Sequence, residues 1–133
     1  MSQENIDRLR ANLEAFNRTG EINVDDLAPD FEMHQASSIV DTAGVFKGRD
    51  ALQKSLRELQ EAFDGITAEG EQFLEAAGGE VVVIVRMRGR GRGSGMAIDN
   101  RIAWVWTFRD AEAVRLVVYE DPAEAFEAVG LRE

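Results

Sequence analysis

Apolar residues recur along this chain with two different periods, and the change of period divides it. In the first half Ile6, Leu9, Leu13 and Phe16 fall three or four apart, the spacing of one helix face, and Gly20 stops that helix. The pattern predicts a short second helix over 23–28, ended by Pro29. FEMHQ at 31–35 alternates as a strand does, with Phe31, Met33 and Gln35 on one face. Residues 36–44 read as a loop. VFKG then leads into a third helix, whose apolar stripe is Leu52, Leu56, Leu59 and Phe63.

From Ile66 onward the period drops to two. ITAEGEQFLEAA, EVVVIVRMRGR, AIDNRIAWVWTF and AVRLVVYE read as four consecutive antiparallel strands. Helices followed by a meander predict an α+β fold: one curved sheet with the helices of the N-terminal half packed on one face. Gly78-Gly79 reads as a two-residue hairpin loop, because both residues can take positive φ. Pairing Ala77 with Glu80 sets Glu71 opposite Arg86 and Glu69 opposite Arg88. A four-residue loop over 93–96 sets Arg90 opposite Asp99, Val85 beside Trp104, Val83 beside Trp106 and Met87 beside Ile102. Apolar residues then meet on one face and opposite charges on the other, as cross-strand pairing favours.

In this register the concave face collects Gln72, Leu74, Val83, Val85, Met87, Gly89, Asn100, Ile102, Trp104 and Trp106. An aromatic and apolar surface with a few neutral polar groups suits a small-molecule pocket, and it equally suits a filled core. Gly89 and Gly91 would leave room on that face, since a strand glycine marks close approach of a ligand or of another backbone. The outer face, bearing Ile84, Val117 and Tyr119, is the candidate contact of a two-fold homodimer.

Composition narrows the chemistry. The 133 residues, 44% of them hydrophobic, suit a single domain over 1–133. There is no cysteine, which excludes disulfides and thiolate metal sites. The polar start MSQENIDRLR and the shortness of VVVIV (81–85), the longest apolar run, lead us to expect a soluble, cytoplasmic protein without a membrane span. The stretch RMRGRGRGSG at 86–95 invites a nucleic-acid or phosphate reading. The net charge of −10, the missing phosphate-loop lysine and the lack of interleaved aromatics all argue against one. We expect a charged strand face instead.

Familiar catalytic and metal motifs are missing. His34 is the only histidine and has only Glu32 on its strand face, which does not make a metal site. No G-x-S-x-G elbow is present. Asp25-Asp26 and Glu120-Asp121 sit at helix starts or strand ends, where capping is the expected role. No metal or cofactor is expected.

Several stretches together resemble the SnoaL-like family of the nuclear transport factor 2-like superfamily. They are NLEAFNRTG, DDLAPDFEMH, VFKGRDALQKSLRELQEAF, GRGRGSG, RIAWVWTFRD and VRLVVYEDPAEAFEAVGL. F-x-G-R-D-A-L at the third helix is the most specific of them. Ala111 departs from the glycine common in the family's W-T-F-R-D turn. The resemblance implies a cone: a curved, mixed or antiparallel sheet wrapped around three helices of the N-terminal half, with a cavity open at one end, and usually a dimer. It also implies a family of polyketide cyclases, ketosteroid isomerases, epoxide hydrolases and noncatalytic pocket proteins, among which fold alone does not choose.

Carried over residue by residue, the resemblance puts Gln35 at the isomerase base, Asn12 at the oxyanion tyrosine and Trp104 at the aspartate shared with cyclases. For the epoxide-hydrolase pattern, RMRGRG lacks the first aspartate and Val118 stands at the second. An amide is no general base near neutral pH, and an indole offers only a donor. The leading expectation is therefore a protein that binds a small hydrophobic molecule without the usual catalytic carboxylates. Asn12, Gln35, Asn100, Trp104 and Trp106 would orient the ligand, and Phe16, Met33, Met87, Ile102 and Val118 would surround it. Two alternatives stand beside it. One is a cyclase- or isomerase-like enzyme with non-standard acid and base groups, Glu120 or Asp121 among them. The other is a dimerising module whose cone is filled by its own side chains.

Overall fold

The computed structural model describes residues 2–36 and 44–130. The expected loop over 36–44 therefore falls almost wholly outside the described residues. Helix α1 spans Ser2–Thr19 and is followed by a single 3-10 turn, Val24–Asp26, where the short second helix was expected. Strand β1 is Leu27–Ala36 and β2 is Gly44–Lys47. Helix α2 is Arg49–Ala62, and β3 (Phe63–Glu75), β4 (Val81–Gly91), β5 (Ala97–Arg109) and β6 (Glu112–Tyr119) form the meander. A further helix, α3, covers Pro122–Val129.

The six strands form one sheet in the order β2-β1-β6-β5-β4-β3. The pairings are antiparallel except β1 with β6, which run parallel, so the sheet is mixed. α1 and α2 pack on its concave face, and the main core lies between them. Leu9, Leu13 and Phe16 from α1 and Leu52 and Leu56 from α2 meet Phe31, Met33, Val81, Val83, Val85 and both tryptophans. Polar side chains fasten the helices. Asn17 of α1 exchanges two hydrogen bonds with the backbone of Ala68, donating to its carbonyl (2.9 Å) and accepting from its N–H (2.8 Å). Buried Gln53 of α2 accepts from Ile22 N–H (3.1 Å) and donates to the Gly20 carbonyl (3.3 Å), which satisfies two backbone groups of the turn after α1.

The outer face carries a second apolar cluster. Val82, Ile84, Ala103 and Val105 are covered by Ala125 and Phe126 of α3. Asp121 caps this helix, accepting from Ala123 N–H at 2.9 Å, so its expected capping role is met. The chain's own helix thus lies on the surface around Ile84 that was expected to face a second copy.

The hairpins correct the expected register twice. At the β3–β4 hairpin, Ala76 N–H donates to the Glu80 carbonyl (2.7 Å) and Gly79 N–H to the Ala76 carbonyl (3.0 Å). The loop is therefore three residues, 77–79, and Gly79 (φ 90°) rather than both glycines supplies the positive φ. This slips β3 by one residue. Leu74 joins the outer cluster, Gln72 is exposed, and Phe73 turns inward. A bulge between Gly70 and Gln72 reverses the flip, so that Ala68 and Ile66 beyond it still face inward, and another lies between Asp64 and Thr67. The β4–β5 loop has the expected four residues but lies at 92–95, closed by Gly91 N–H to the Met96 carbonyl (2.8 Å). That moves the register by two, so each residue keeps its face but changes its neighbour. Val83 lies opposite Trp104, Val85 opposite Ile102, Met87 opposite Asn100 and Arg88 opposite Asp99.

Ion pairs on the outer face run diagonally across the corrected register. Arg86 makes a two-pronged contact to Asp99 (both bonds 2.7 Å) rather than to Glu71, and Glu71 is held by Arg101 at 2.6 Å. Arg88 does pair with Glu69 (2.8 Å). Arg90 donates to the Gly95 carbonyl (2.9 Å), not to Asp99. The Arg86 and Arg101 guanidiniums hold the Asp99 and Glu71 carboxyls below their ordinary values, chiefly through these hydrogen bonds. In the β5–β6 turn Asp110 takes the positive φ (59°) and Ala111 does not, so the turn needs no glycine at 111.

Candidate functional site

Two cavities lie between the sheet and the helices. The larger, about 230 Å³, is bounded by Leu52, Ser55, Leu56 and Leu59 of α2, Met33 and Gln35 of β1, and Ile66 of β3. Met87 of β4, then Ile98, Asn100, Ile102 and Trp104 of β5, and Leu116, Val118 and Glu120 complete its wall. The smaller, about 40 Å³, is bounded by Leu9, Asn12, Leu13 and Phe16 of α1, by Asp26 and Leu27, and by Val83, Trp104, Trp106 and Phe108 of the sheet, with Arg8 also on its wall. Trp104, Leu52 and Leu56 belong to both walls.

The alternation of β5 explains this arrangement. Asn100, Ile102, Trp104, Trp106 and Phe108 point to one face, with successive side chains about 7 Å apart. The strand therefore runs from one cavity to the other past Trp104. Trp104 and Trp106 meet edge to face with centroids 6.3 Å apart, and Phe31 lies 6.3 Å from Trp106 on another side. Such contacts lock both indoles.

Every candidate ligand residue borders one of the two cavities. Met33, Gln35, Met87, Asn100, Ile102 and Val118 line the larger; Asn12, Phe16 and Trp106 line the smaller; Trp104 lines both. Their polar groups are not equally available. Asn12 donates to Asp26 Oδ2 (3.0 Å) and accepts from Asn23 N–H (2.8 Å), so it ties α1 to the 3-10 turn. The Trp106 indole N–H is buried and has no acceptor.

Of the two roles expected for a strand glycine, Gly89 takes the second, close approach of another backbone. A Cβ on Gly89 would lie 3.0 Å from Ile66 Cδ1 and 3.2 Å from its Cα. The space is thus taken by β3, and Gly89 permits that strand's close approach rather than a ligand's. At Gly91 the nearest neighbour is the Ser94 hydroxyl of the hairpin loop. Neither glycine lines a cavity.

Sequence reasoning passed over Ser55 and Asp26 as wall residues, whereas Glu120, named there as an acid or base of the enzyme alternative, borders the larger cavity. Ser55 was findable, since it lies three residues after Leu52 and four before Leu59 on the α2 stripe. Asp26 accepts from a side chain on α1 instead of capping, a long-range contact with no sequence signal. His34 lies 3.7 Å from Glu32 Oε2 on the outward side of β1, and among the described residues no three His, Asp or Glu side chains gather as a metal site. No helix among the described residues is long and apolar enough to cross a membrane.

The architecture of six curved strands around helices is that of the nuclear transport factor 2-like fold. Such a protein of unknown function from Burkholderia pseudomallei superposes with a TM-score of 0.72 at 22% identity, over 95% of this chain and 97% of that one. TerC, co-crystallised with polyporic acid, gives 0.71 at 20%, over 95% and 97%. A protein from Jannaschia named as a SnoaL-like polyketide cyclase gives 0.71 at 17%, over 98% and 94%. No curated protein matches the sequence. The SnoaL-like domain model matches residues 6–116, and the chain belongs to that family.

Proposed function

We propose that this chain binds a compact, mostly apolar small molecule in the larger cavity and releases it unchanged. The observation that carries this reading is the cavity itself: about 230 Å³ walled mainly by apolar side chains, with Gln35, Ser55 and Asn100 as neutral polar points. A cavity of about 150 Å³ takes benzene, so this one suits a molecule of about nine or ten heavy atoms. A bicyclic aromatic or a ten-carbon alicycle is the right size, whereas a steroid is too large. The volume speaks against a cone filled by its own side chains. The complex of TerC with polyporic acid supports an organic ligand for this fold.

A second reading, a cyclase- or isomerase-like enzyme, draws on Glu120 at the larger cavity and Asp26 at the smaller. Against it, Gln35 and Trp104 occupy the two positions where the family resemblance calls for aspartates, and Asp26 already accepts from Asn12. Val117 and Tyr119 are themselves half-buried against the cluster that α3 covers, so dimerisation, which the family suggests, would have to use other outer surface. Sedimentation showing a monomer at all concentrations would exclude it.

Thermal melting and tryptophan fluorescence test the pocket. Naphthalene and camphor are expected to raise the melting temperature and change the emission of Trp104, while a steroid does neither. No response to any compound overturns the reading. Mass spectrometry of recovered ligand is expected to show it unaltered, and conversion would favour the enzyme.

A further inference from the structure

We propose that the larger cavity selects a cation: a compact apolar body bearing a primary ammonium, with the body against Trp104 and the ammonium at the open end beside Glu120. The inference rests on the pocket reading above and specifies the chemical class of its ligand. Glu120 is the one charged side chain among the described residues that border this cavity, and no basic group stands on the wall to offset it. The net charge of −10 biases the surrounding field in the same direction.

The register of the sheet places the groups that would hold the charge. Gln35, Val118 and Trp104 lie side by side on β1, β6 and β5. Glu120 comes two residues after Val118, and Asn100 four residues before Trp104; β5 and β6 are antiparallel, so both lie beyond Trp104 in the same direction. They are also the exposed residues of the wall, whereas Trp104 is buried, so they mark its open end. The two-residue step from Val118 to Glu120 is about 7 Å, which suits an ammonium on a short link from a ring resting against Trp104. An ammonium has three donors and no acceptor. Glu120 offers a carboxylate, and the amide oxygens of Gln35 and Asn100 lie on the two strands that flank β6. The fold does not use these amides. Those of Asn12, Asn17 and Gln53 bind partners in the protein, but neither Gln35 nor Asn100 makes a side-chain hydrogen bond among the described residues. At the opening the guest's charge stays partly hydrated, which avoids the cost of burying an ion against apolar walls. The same water screens the pair, so the preference is that of a partly exposed ion pair, about fivefold.

Phenethylamine and phenethyl alcohol make the test, because they share a skeleton and differ in an ammonium against a hydroxyl. Their affinities, with those of phenylacetate and naphthalene, are measured by calorimetry at neutral pH on the parent protein, on Glu120→Gln and on Glu120→Lys. The parent is expected to bind the amine about fivefold more tightly than the alcohol, and phenylacetate most weakly. Added salt should erode the preference for the amine and leave the alcohol unaffected. Glu120→Gln is expected to bring the amine level with the alcohol while alcohol binding is retained, and Glu120→Lys to place phenylacetate above the amine. An amine-to-alcohol ratio within twofold in the parent, or a preference that survives Glu120→Gln, overturns the proposal and leaves a pocket for neutral guests. Failure of all four compounds to bind overturns the pocket reading itself, whereas binding of naphthalene and the alcohol without preference for the amine overturns only the assignment of charge.

Discussion

Truncating Trp104 to alanine removes the indole that borders both cavities and is expected to join them. The side chain is 8% exposed and packs edge to face on Trp106. Large-to-alanine truncations of buried aromatics cost about 3–5 kcal/mol. The low end applies here, because the indole already faces open volume on two sides and so has fewer neighbours to lose. For a domain of this size about 3 kcal/mol lowers the melting temperature by about 10–15 °C. The merged cavity also accepts a longer guest, so a three-ring aromatic rejected by the parent is expected to bind Trp104→Ala. Circular-dichroism melts with and without phenanthrene, alongside Trp104→Phe as the milder variant, read both effects. A melting temperature within about 3 °C of the parent would show that Trp104 is not wedged between the cavities, and the two-chamber description would fail with it.

Gly89→Ala places a methyl against the Ile66 backbone and is expected to cost about 1–3 kcal/mol while leaving ligand affinity unchanged; an unaltered melting temperature would contradict the close strand approach. The Asp99 and Glu71 carboxyls are depressed in the folded state, so their pairs stabilise it fully above the unfolded values of 3.8 and 4.5 and less as pH falls below them. Melting curves between about pH 5 and 2.5 should therefore fall more steeply for the parent than for Arg86→Gln/Arg101→Gln, with superimposable profiles counting against the linkage.

The elements were legible because each half of the chain keeps one period. α1 and all four meander strands lie within a few residues of where the alternation put them. The β4–β5 register was legible only as to face, since a shift of two residues preserves every inward side chain. The β3 register was not, because the choice between a two- and a three-residue loop at Gly78-Gly79 flips the hairpin end of the strand, and the bulge between Gly70 and Gln72 that flips it back leaves no mark in the alternation. Helix α3 did carry a signal: Asp121 at the cap, Pro122 behind it and Gly130 (φ 75°) at the end. At the candidate site, the apolar wall could be read from strand faces. The pairing of Asn12 with Asp26 and the open Trp106 donor could not, since both depend on how α1 settles on the sheet.

α3 also bears on how a molecule gets in. Strand β4 is pressed between the main core on one side and Ala125 and Phe126 on the other, which is why VVVIV carries no polar interruption. A strand held on both faces exchanges its amide hydrogens only through global unfolding. The floor of the cone is therefore its stiff part. On the pocket reading, the motions that would admit a guest fall to the opposite wall, where α2 presents Leu52, Leu56 and Leu59 to the cavity and its far side to solvent.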